Sequence, residues 1–459
     1  MTLFDADHYE PDEMLAHPRH LAMQPVLTSL IEQLRDVHTP AEGYEFQQDL
    51  LTRLLDIEQD RVGFKRAADR ARKGKGPHAD APEPQSGRDP ADPATWAFER
   101  DLCERLARQL RTVGDALAWR AFGFHRPFVI ALSRNDPPGP MYGKKGLQAE
   151  LDQVHQAWKE DGAFALLHDL TNCLRIGDVT IWDDTTAPRT LEIKTNPAKM
   201  KPAQLERINA ARQAVLNGGP MPGGRPSETL HDLDRPLRTH LDLLRATTDR
   251  ALAEGIAATT VPGSRALLIA DQAACSRLGM TGERFTENLG GAMHTALVQS
   301  GIAVDRDRQN VSATSLDFTA RDPLRVPWAS YPLHPAVCAR IIGDYMVFTV
   351  ETSGPVLTRL LQAAGFDAQW VRPPRRGGLQ AGEVVMEIGR QQLPSSAILR
   401  GGFRLTSKRT LQLRRSELDR YLIELVQPGT WAAGISHLLD NTQTGQPWPH
   451  YRDEEQVWL

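Results

Sequence analysis

Asp178 and the Glu-x-Lys triplet Glu192 to Lys194 fall within one short segment, LRIGDVTIWDDTTAPRTLEIKTN, from Leu174 to Asn196. Two carboxylates and an ammonium are what the hydrolysis of a phosphodiester calls for. Hard oxygen ligands hold a divalent ion that brings water to an anion and stabilises the leaving oxyanion. A lysine two residues beyond a ligand faces the same place, where its ammonium neutralises the pentavalent phosphate or orients the attacking water. Burial near a metal is expected to lower the Lys194 pKa enough to help move a proton. The alternative is a surface hairpin on which Glu192 and Lys194 form a solvated charge pair.

The elements that must position these groups are two strands. With a period of two, Asp178, Thr180 and Trp182 point one way and Val179 and Ile181 the other; Thr190, Glu192 and Lys194 share a face opposite Leu191 and Ile193. Burying the two apolar faces together leaves Asp178, Glu192 and Lys194 on a common polar face. The intervening DDTTAPR is rich in turn residues and short enough for a hairpin, which brings the carboxylates within reach of one cation.

In these residues and their setting the chain resembles the PD-(D/E)XK nuclease superfamily, the restriction-endonuclease-like fold. That fold runs helix, strand, strand, strand, helix. Met141 to Gly218 reads in the same order, with a helix Gly143 to Lys159, strands Ala163 to Leu170, Asp178 to Trp182 and Thr190 to Thr195, and a helix Pro202 to Leu216. The superfamily's proline before the aspartate is replaced by Gly177. The resemblance implies Asp178 and Glu192 as metal ligands, the carbonyl of Ile193 as a further ligand, Lys194 as the catalytic lysine, and Mg2+, with Mn2+ able to substitute, as the cofactor.

Many members add a glutamate from the first helix. Leu147, Leu151, Val154 and Trp158 form one stripe with Glu150 on its flank, while Glu160 falls on the far side, so Glu150 is the candidate. In the helix after the third strand, Lys201, Gln204 and Arg212 lie on or beside the stripe Leu205, Ile208 and Val215. Members often place a glutamine or basic residue there, which adds Gln204 to the site and Lys201 as a substrate contact; Arg207 faces solvent.

Composition sets the frame. At 459 residues, 41% hydrophobic and a formal net charge of −4, the chain is that of a soluble globular protein of two or three domains. No run reaches membrane-spanning length and the first residues, MTLFDADHYEPDEM, are acidic where a signal peptide is basic, so a cytoplasmic location with no membrane partner is expected. Cys103, Cys173, Cys275 and Cys338 are scattered without a C-x-x-C, which argues against a zinc ribbon, an iron–sulfur cluster or a disulfide scaffold.

The expected fold class is α/β: a restriction-endonuclease-like mixed sheet flanked by helices, with a helical N-terminal region and a C-terminal α/β or α+β domain. An acidic helical region spans 1–72, a disordered linker 73–94, a helical lead-in 95–140, the core 141–225, a helical connector 226–261 and the C-terminal domain 262–459. Residues 1–60 carry 13 acidic and 3 basic side chains. Such an arm packs on the rest, contacts a protein partner, masks a basic groove or simply forms solvated helices. The run Arg400 to Arg415 holds six basic residues and no acidic one, and RPPRRGG at 372–378 adds three arginines. Arg404, Lys408 and Arg409 are the candidates for a phosphate backbone, most simply that of DNA. His168 and Asp169 read as structural, and Asp344 with Glu387 as strand-edge charge. The expected function is a metal-dependent nuclease acting on DNA, in restriction, phage defence or repair by analogy. The alternative is a catalytically inactive nucleic-acid-binding or regulatory protein with the same fold.

Overall fold

The computed structural model describes residues 11–77, 81–133, 138–182, 188–194, 201–217, 238–280, 282–302, 310–315, 325–371, 385–390, 410–413, 418 and 421–441. They form a mixed α and β protein of two compact units. Unit 1 comprises the described residues within Met1–His231 and Leu316–Tyr345; unit 2 comprises those within Asp232–Ser315 and Met346–Thr444.

Unit 1 is built on three long helices, α2 (Pro18–Arg35), α3 (Pro40–Ala71) and α4 (Pro93–Ala121), with the short α1 (Pro11–Leu15) before them and α5 (Arg126–Leu132) after. Thr39 and Glu42 close a capping box around Pro40 at the head of α3, and Asp92 caps α4 ahead of Pro93. Helical spacing predicts one apolar stripe at Phe46, Leu50, Leu51, Leu54 and Leu55 and another at Leu102, Leu106, Leu110, Val113 and Leu117. All but Leu55, which is half-buried, are buried, and α3 and α4 pack together.

Residues 11–72 are therefore no free arm. Three of its acids are paired inside the unit: Glu58 with Arg111 at 2.5 Å, Glu13 with Arg88 at 2.5 Å and Asp60 with Arg19. Part of the expected disordered linker is also held, because the Gln85 and Ser86 amides donate to buried Glu99 at 2.6 and 2.8 Å. Gly- and Pro-rich composition removed the helix, as read, but one buried carboxylate fixes the backbone.

The site-bearing elements follow: α6 (Leu147–Asp161), β1 (Phe164–Leu167), β2 (Val179–Trp182), β3 (Arg189–Leu191) and α7 (Pro202–Asn217). Their order is the predicted helix, three strands, helix. The sheet β1-β2-β3 is wholly antiparallel, where a mixed sheet was expected, because each strand returns beside its predecessor with no crossover among the described residues. The first and third strands are also shorter than expected: β1 ends at Leu167, where His168–Leu170 forms a 3-10 turn, and β3 ends at Leu191, so Glu192 to Lys194 lie just beyond it.

Unit 2 holds α8 (Leu241–Glu254), β4 (Ile256–Val261), β5 (Arg265–Asp271), α9 (Gln272–Arg277), α10 (Gly282–Gln299), β6 (Asn310–Thr314), β7 (Met346–Ser353), β8 (Phe366–Val371), β9 (Val385–Arg390) and β10 (Thr410–Leu413). The strands make two antiparallel sheets, β4-β5-β7-β6 and β10-β9-β8. Sequence segmentation into consecutive blocks missed two things. The expected helical connector 226–261 ends not in helix but in strand β4, which pairs with β5 in the sheet of unit 2. The helix Pro335–Ile342 lies between strands of unit 2 in the chain yet packs along α2 of unit 1, where Arg35 donates to the Leu333 carbonyl at 2.6 Å. A contact about 300 residues away in sequence leaves no local pattern. Asp344, read as strand-edge charge, is buried beside Arg105 in the same unit, and burial pushes its carboxyl above the usual range against that pairing.

Candidate active site

The β2–β3 hairpin does for Asp178 and Glu192 what its pattern predicts. Val179 pairs with Leu191 and Thr180 with Thr190, so the next position out sets Asp178 opposite Glu192. The Asp178 N–H donates to the Leu191 carbonyl at 2.7 Å, and the Ile193 N–H donates to Asp178 Oδ2 at 2.7 Å. Ile193, expected to offer its carbonyl, thus has its amide on the carboxylate.

Gly177 stands where the resemblance would place proline, and the backbone explains it. Its φ is +80°, which a proline ring cannot adopt, and an added Cβ would meet Thr190 Cγ2 at 2.4 Å and the Leu191 carbonyl oxygen at 3.1 Å. The chain turns into β2 through a conformation only glycine reaches without strain.

The two faces of β2 are less distinct than a period of two implies. Thr180 is fully buried, its Oγ1 2.7 Å from His168 Nε2 and 2.9 Å from Thr190 Oγ1. Trp182 packs edge-on to Phe122 at 4.8 Å between ring centroids. Side chains on both faces of β2 are buried, Val179 and Ile181 on one and Thr180 on the other. His168 is structural, as read, its imidazole held down to about 4 by burial first and the Arg175 charge second.

Lys194 Nζ contacts Glu192 and lies 3.8 Å from Asp178 Oδ2, so a single cation reaches both carboxylates. Burial acts to lower the Lys194 pKa, as expected, but hydrogen bonding to Glu192 and the Asp178 and Glu192 charges outweigh it and leave the value raised. In this setting the side chain is a held ammonium and not a proton acceptor. Gln204, projecting from α7, donates from Nε2 to Glu192 Oε1 at 2.6 Å and so belongs to the cluster.

Glu150 also belongs, but not from the flank of α6. The buried line of that helix is Glu150, Val154 and Ala157, whereas Leu147, Leu151 and Trp158 are half-covered. A carboxylate 1% exposed needs a partner, and it has one that the sequence reading did not name. Lys144 Nζ lies 2.7 Å from Glu150 Oε1, 2.6 Å from Asp169 Oδ2 and 3.9 Å from Asp178 Oδ1. Burial raises the Glu150 pKa and Lys144 opposes the rise. For Lys144 burial works downward, and Asp169 and Glu150 together turn the net shift upward. The only signal for this pair was the turn-forming YGKKG before α6 and the Asp169 beside His168; neither has a periodicity.

A buried pair behind the site fixes its framework. Glu58 of α3 accepts the Met141 and Tyr142 amides at 2.6 and 2.8 Å, and Arg111 of α4 donates to the Asp169 carbonyl at 3.0 Å and the Gly139 carbonyl at 3.2 Å. The side chains of His168 and Asp169 thus leave the same 3-10 turn for different duties.

Lys201, at the start of α7, is exposed, as are Arg207 and Arg212; Leu205, placed on the apolar stripe, is 43% exposed, and the helix buries Ile208, Ala211, Ala214 and Val215 instead. Arg404, Lys408 and Arg409 lie outside the described residues, as do residues 372–378.

Among the described residues no three His, Cys, Asp or Glu side chains converge as a metal-holding group. The carboxylates instead surround two ammoniums. The donor set is nonetheless all oxygen, and the adjacency of Asp178 and Glu192 to one charged atom matches the one or two carboxylates that Mg2+ takes alongside water. No helix among the described residues is long and apolar enough to cross a membrane, and all four cysteines are buried free thiols. No protein-family model, curated protein or solved structure matches the chain.

Proposed function

We propose that the chain is a divalent-cation-dependent nuclease of the PD-(D/E)XK type that hydrolyses phosphodiester bonds of DNA, with Mg2+, or Mn2+ in its place, as cofactor. The observation that carries this reading is the meeting of Asp178, Glu192 and Lys194, at the ends of the adjacent strands β2 and β3, with Gln204 from α7 and, through Lys144, with Glu150 from α6. The resemblance implies Asp178, Glu192 and Lys194, and helical spacing adds Glu150 and Gln204. Asp178 and Glu192 would hold the ion, which when bound supplies Lewis-acid activation of water and of the phosphate. Lys194 supplies a positive charge beside the phosphate. Gln204 fixes the Glu192 carboxylate through its amide, and Ile193 fixes that of Asp178 through its backbone N–H.

One observation favours a second reading, a nucleic-acid-binding protein without hydrolysis: each carboxylate of the site already has an ammonium within 4 Å. Plasmid, linear and single-stranded DNA and RNA, incubated with the protein in Mg2+, Mn2+ or EDTA, decide between them. Cleavage that needs the ion and is lost in Asp178→Ala and Glu192→Ala is the expected outcome. Each variant relieves repulsion among neighbouring carboxylates but also breaks an ion pair and a hydrogen bond, so the two effects offset and stability should stay near the wild type, as urea unfolding checks. Full activity in EDTA, or in either variant, would overturn the assignment.

A further inference from the structure

Charge around the site does not balance on the residues assigned above. Four carboxylates, Glu150, Asp169, Asp178 and Glu192, face two ammoniums, Lys144 and Lys194. Two negative charges remain, which one divalent ion neutralises and two would reverse.

Lys144 is built into this place. Its N–H donates to the Met141 carbonyl at 2.9 Å across a tight turn in which Gly143 has φ +79°. Met141 and Tyr142 are pinned by Glu58, Glu58 is paired with Arg111, and Arg111 holds the carbonyl of Asp169. One buried ion pair therefore fixes the backbone at both ends of the Lys144–Asp169 contact. The third member, Glu150, is almost fully buried on α6 with its carboxylate directed at the same ammonium. Bringing Glu150 and Asp169 together beside Asp178 needs a cation, and the chain carries one covalently.

We propose that Lys144 is the resident second cation of the site: its ammonium takes the place between Glu150, Asp169 and Asp178, so the chain binds one divalent ion, on the Asp178 and Glu192 side, and not two. This rests on the nuclease reading only in needing an ion at Asp178 and Glu192. It also adds Lys144 and Asp169 to the site as positioning residues.

Titrating Mn2+ into the full-length protein without nucleic acid, by calorimetry and by the paramagnetic resonance signal of free Mn2+, tests it. The wild type should bind one ion per chain, lost in Asp178→Asn. Lys144→Met, which keeps the aliphatic stem, should bind a second ion or hold the first at least about tenfold more tightly, since a neighbouring positive charge is gone. Lys144→Gln should behave alike. Two ions per wild-type chain would overturn the proposal while leaving a metal-dependent nuclease intact. So would one ion with unchanged stoichiometry and affinity in the folded variants. Absence of Mn2+ binding in wild type and variants alike would overturn both readings. If neither variant folds, the wild-type count still decides.

Discussion

At the scale of single residues, the site turns on which charges act during the reaction and which hold it together beforehand. Lys194 touches Glu192 and faces Asp178, so Lys194→Ala should lower kcat by about 100-fold or more while DNA affinity changes little, as expected for a group acting on charge that develops in the transition state. Single-turnover cleavage beside equilibrium DNA binding measures the split; a near wild-type rate would make Lys194 an ordinary surface charge. Gly177→Ala tests the backbone. It forces a side chain at φ +80° against Thr190 and should cost about 1–3 kcal/mol in urea unfolding, with cleavage impaired as the hairpin shifts. Residues on the hairpin were legible because a period of two fixes which side chains face together. Lys144 and Asp169 were not, since a turn and a 3-10 segment have no repeat, and their meeting depends on Glu58 and Arg111 far away in sequence.

Elements place the site by how closely they approach. At Gly114 α4 passes the 3-10 turn that carries Asp169, and an added Cβ would lie 1.9 Å from the Leu170 carbonyl oxygen. Gly114→Ala must push helix and turn apart; destabilisation of roughly 2–3 kcal/mol, read by urea unfolding, should accompany a loss of activity that the distance from the chemistry would not suggest. An unaltered midpoint would mean that the turn gives way freely. The helix–strand–strand–strand–helix order, the stripes of α3 and α4 and the ends of α7 could all be read from hydrophobic spacing. The face of α6 could not. Apolar residues alone pointed to Leu147, Leu151 and Trp158, while the packing chose a line containing a carboxylate, because a lysine outside the helix satisfies it. Patterns of apolarity are silent about buried charge that is paired.

For the molecule as a whole, acidity should be destabilising in a predictable window. Burial, with Arg105 second, holds His20 down to about 3, as burial holds His168 to about 4, both from an ordinary 6.5. The unfolded chain takes up these protons near pH 6.5 and the folded chain does not, so their contribution is intact above that pH and is lost as pH falls toward 4. For His168 the loss reaches about 3 kcal/mol. Glu150, raised by burial, works in the opposite sense and loses stability as pH rises through its folded value, which softens the acid limb. Unfolding free energies at pH 7, 5.5 and 4 should show the decline, and His168→Gln, able to keep a bond to Thr180, should flatten it. A wild-type stability independent of pH across that range would refute the buried, neutral histidines. The discontinuity of unit 1 gives a second test. A fragment ending at His231 lacks the helix Pro335–Ile342 that covers α2, so it should aggregate or unfold without cooperativity where the full chain does not. That same feature orders events on the ribosome. The site's residues have all been made by Gln204, yet the helix that packs on α2 of their unit follows 131 to 138 residues later, roughly 7 to 28 s at usual rates of synthesis. A nascent chain therefore carries every charged group of the candidate site for many seconds before it has the helix that packs behind them, so the site's chemistry can be complete in sequence well before its support is complete in space.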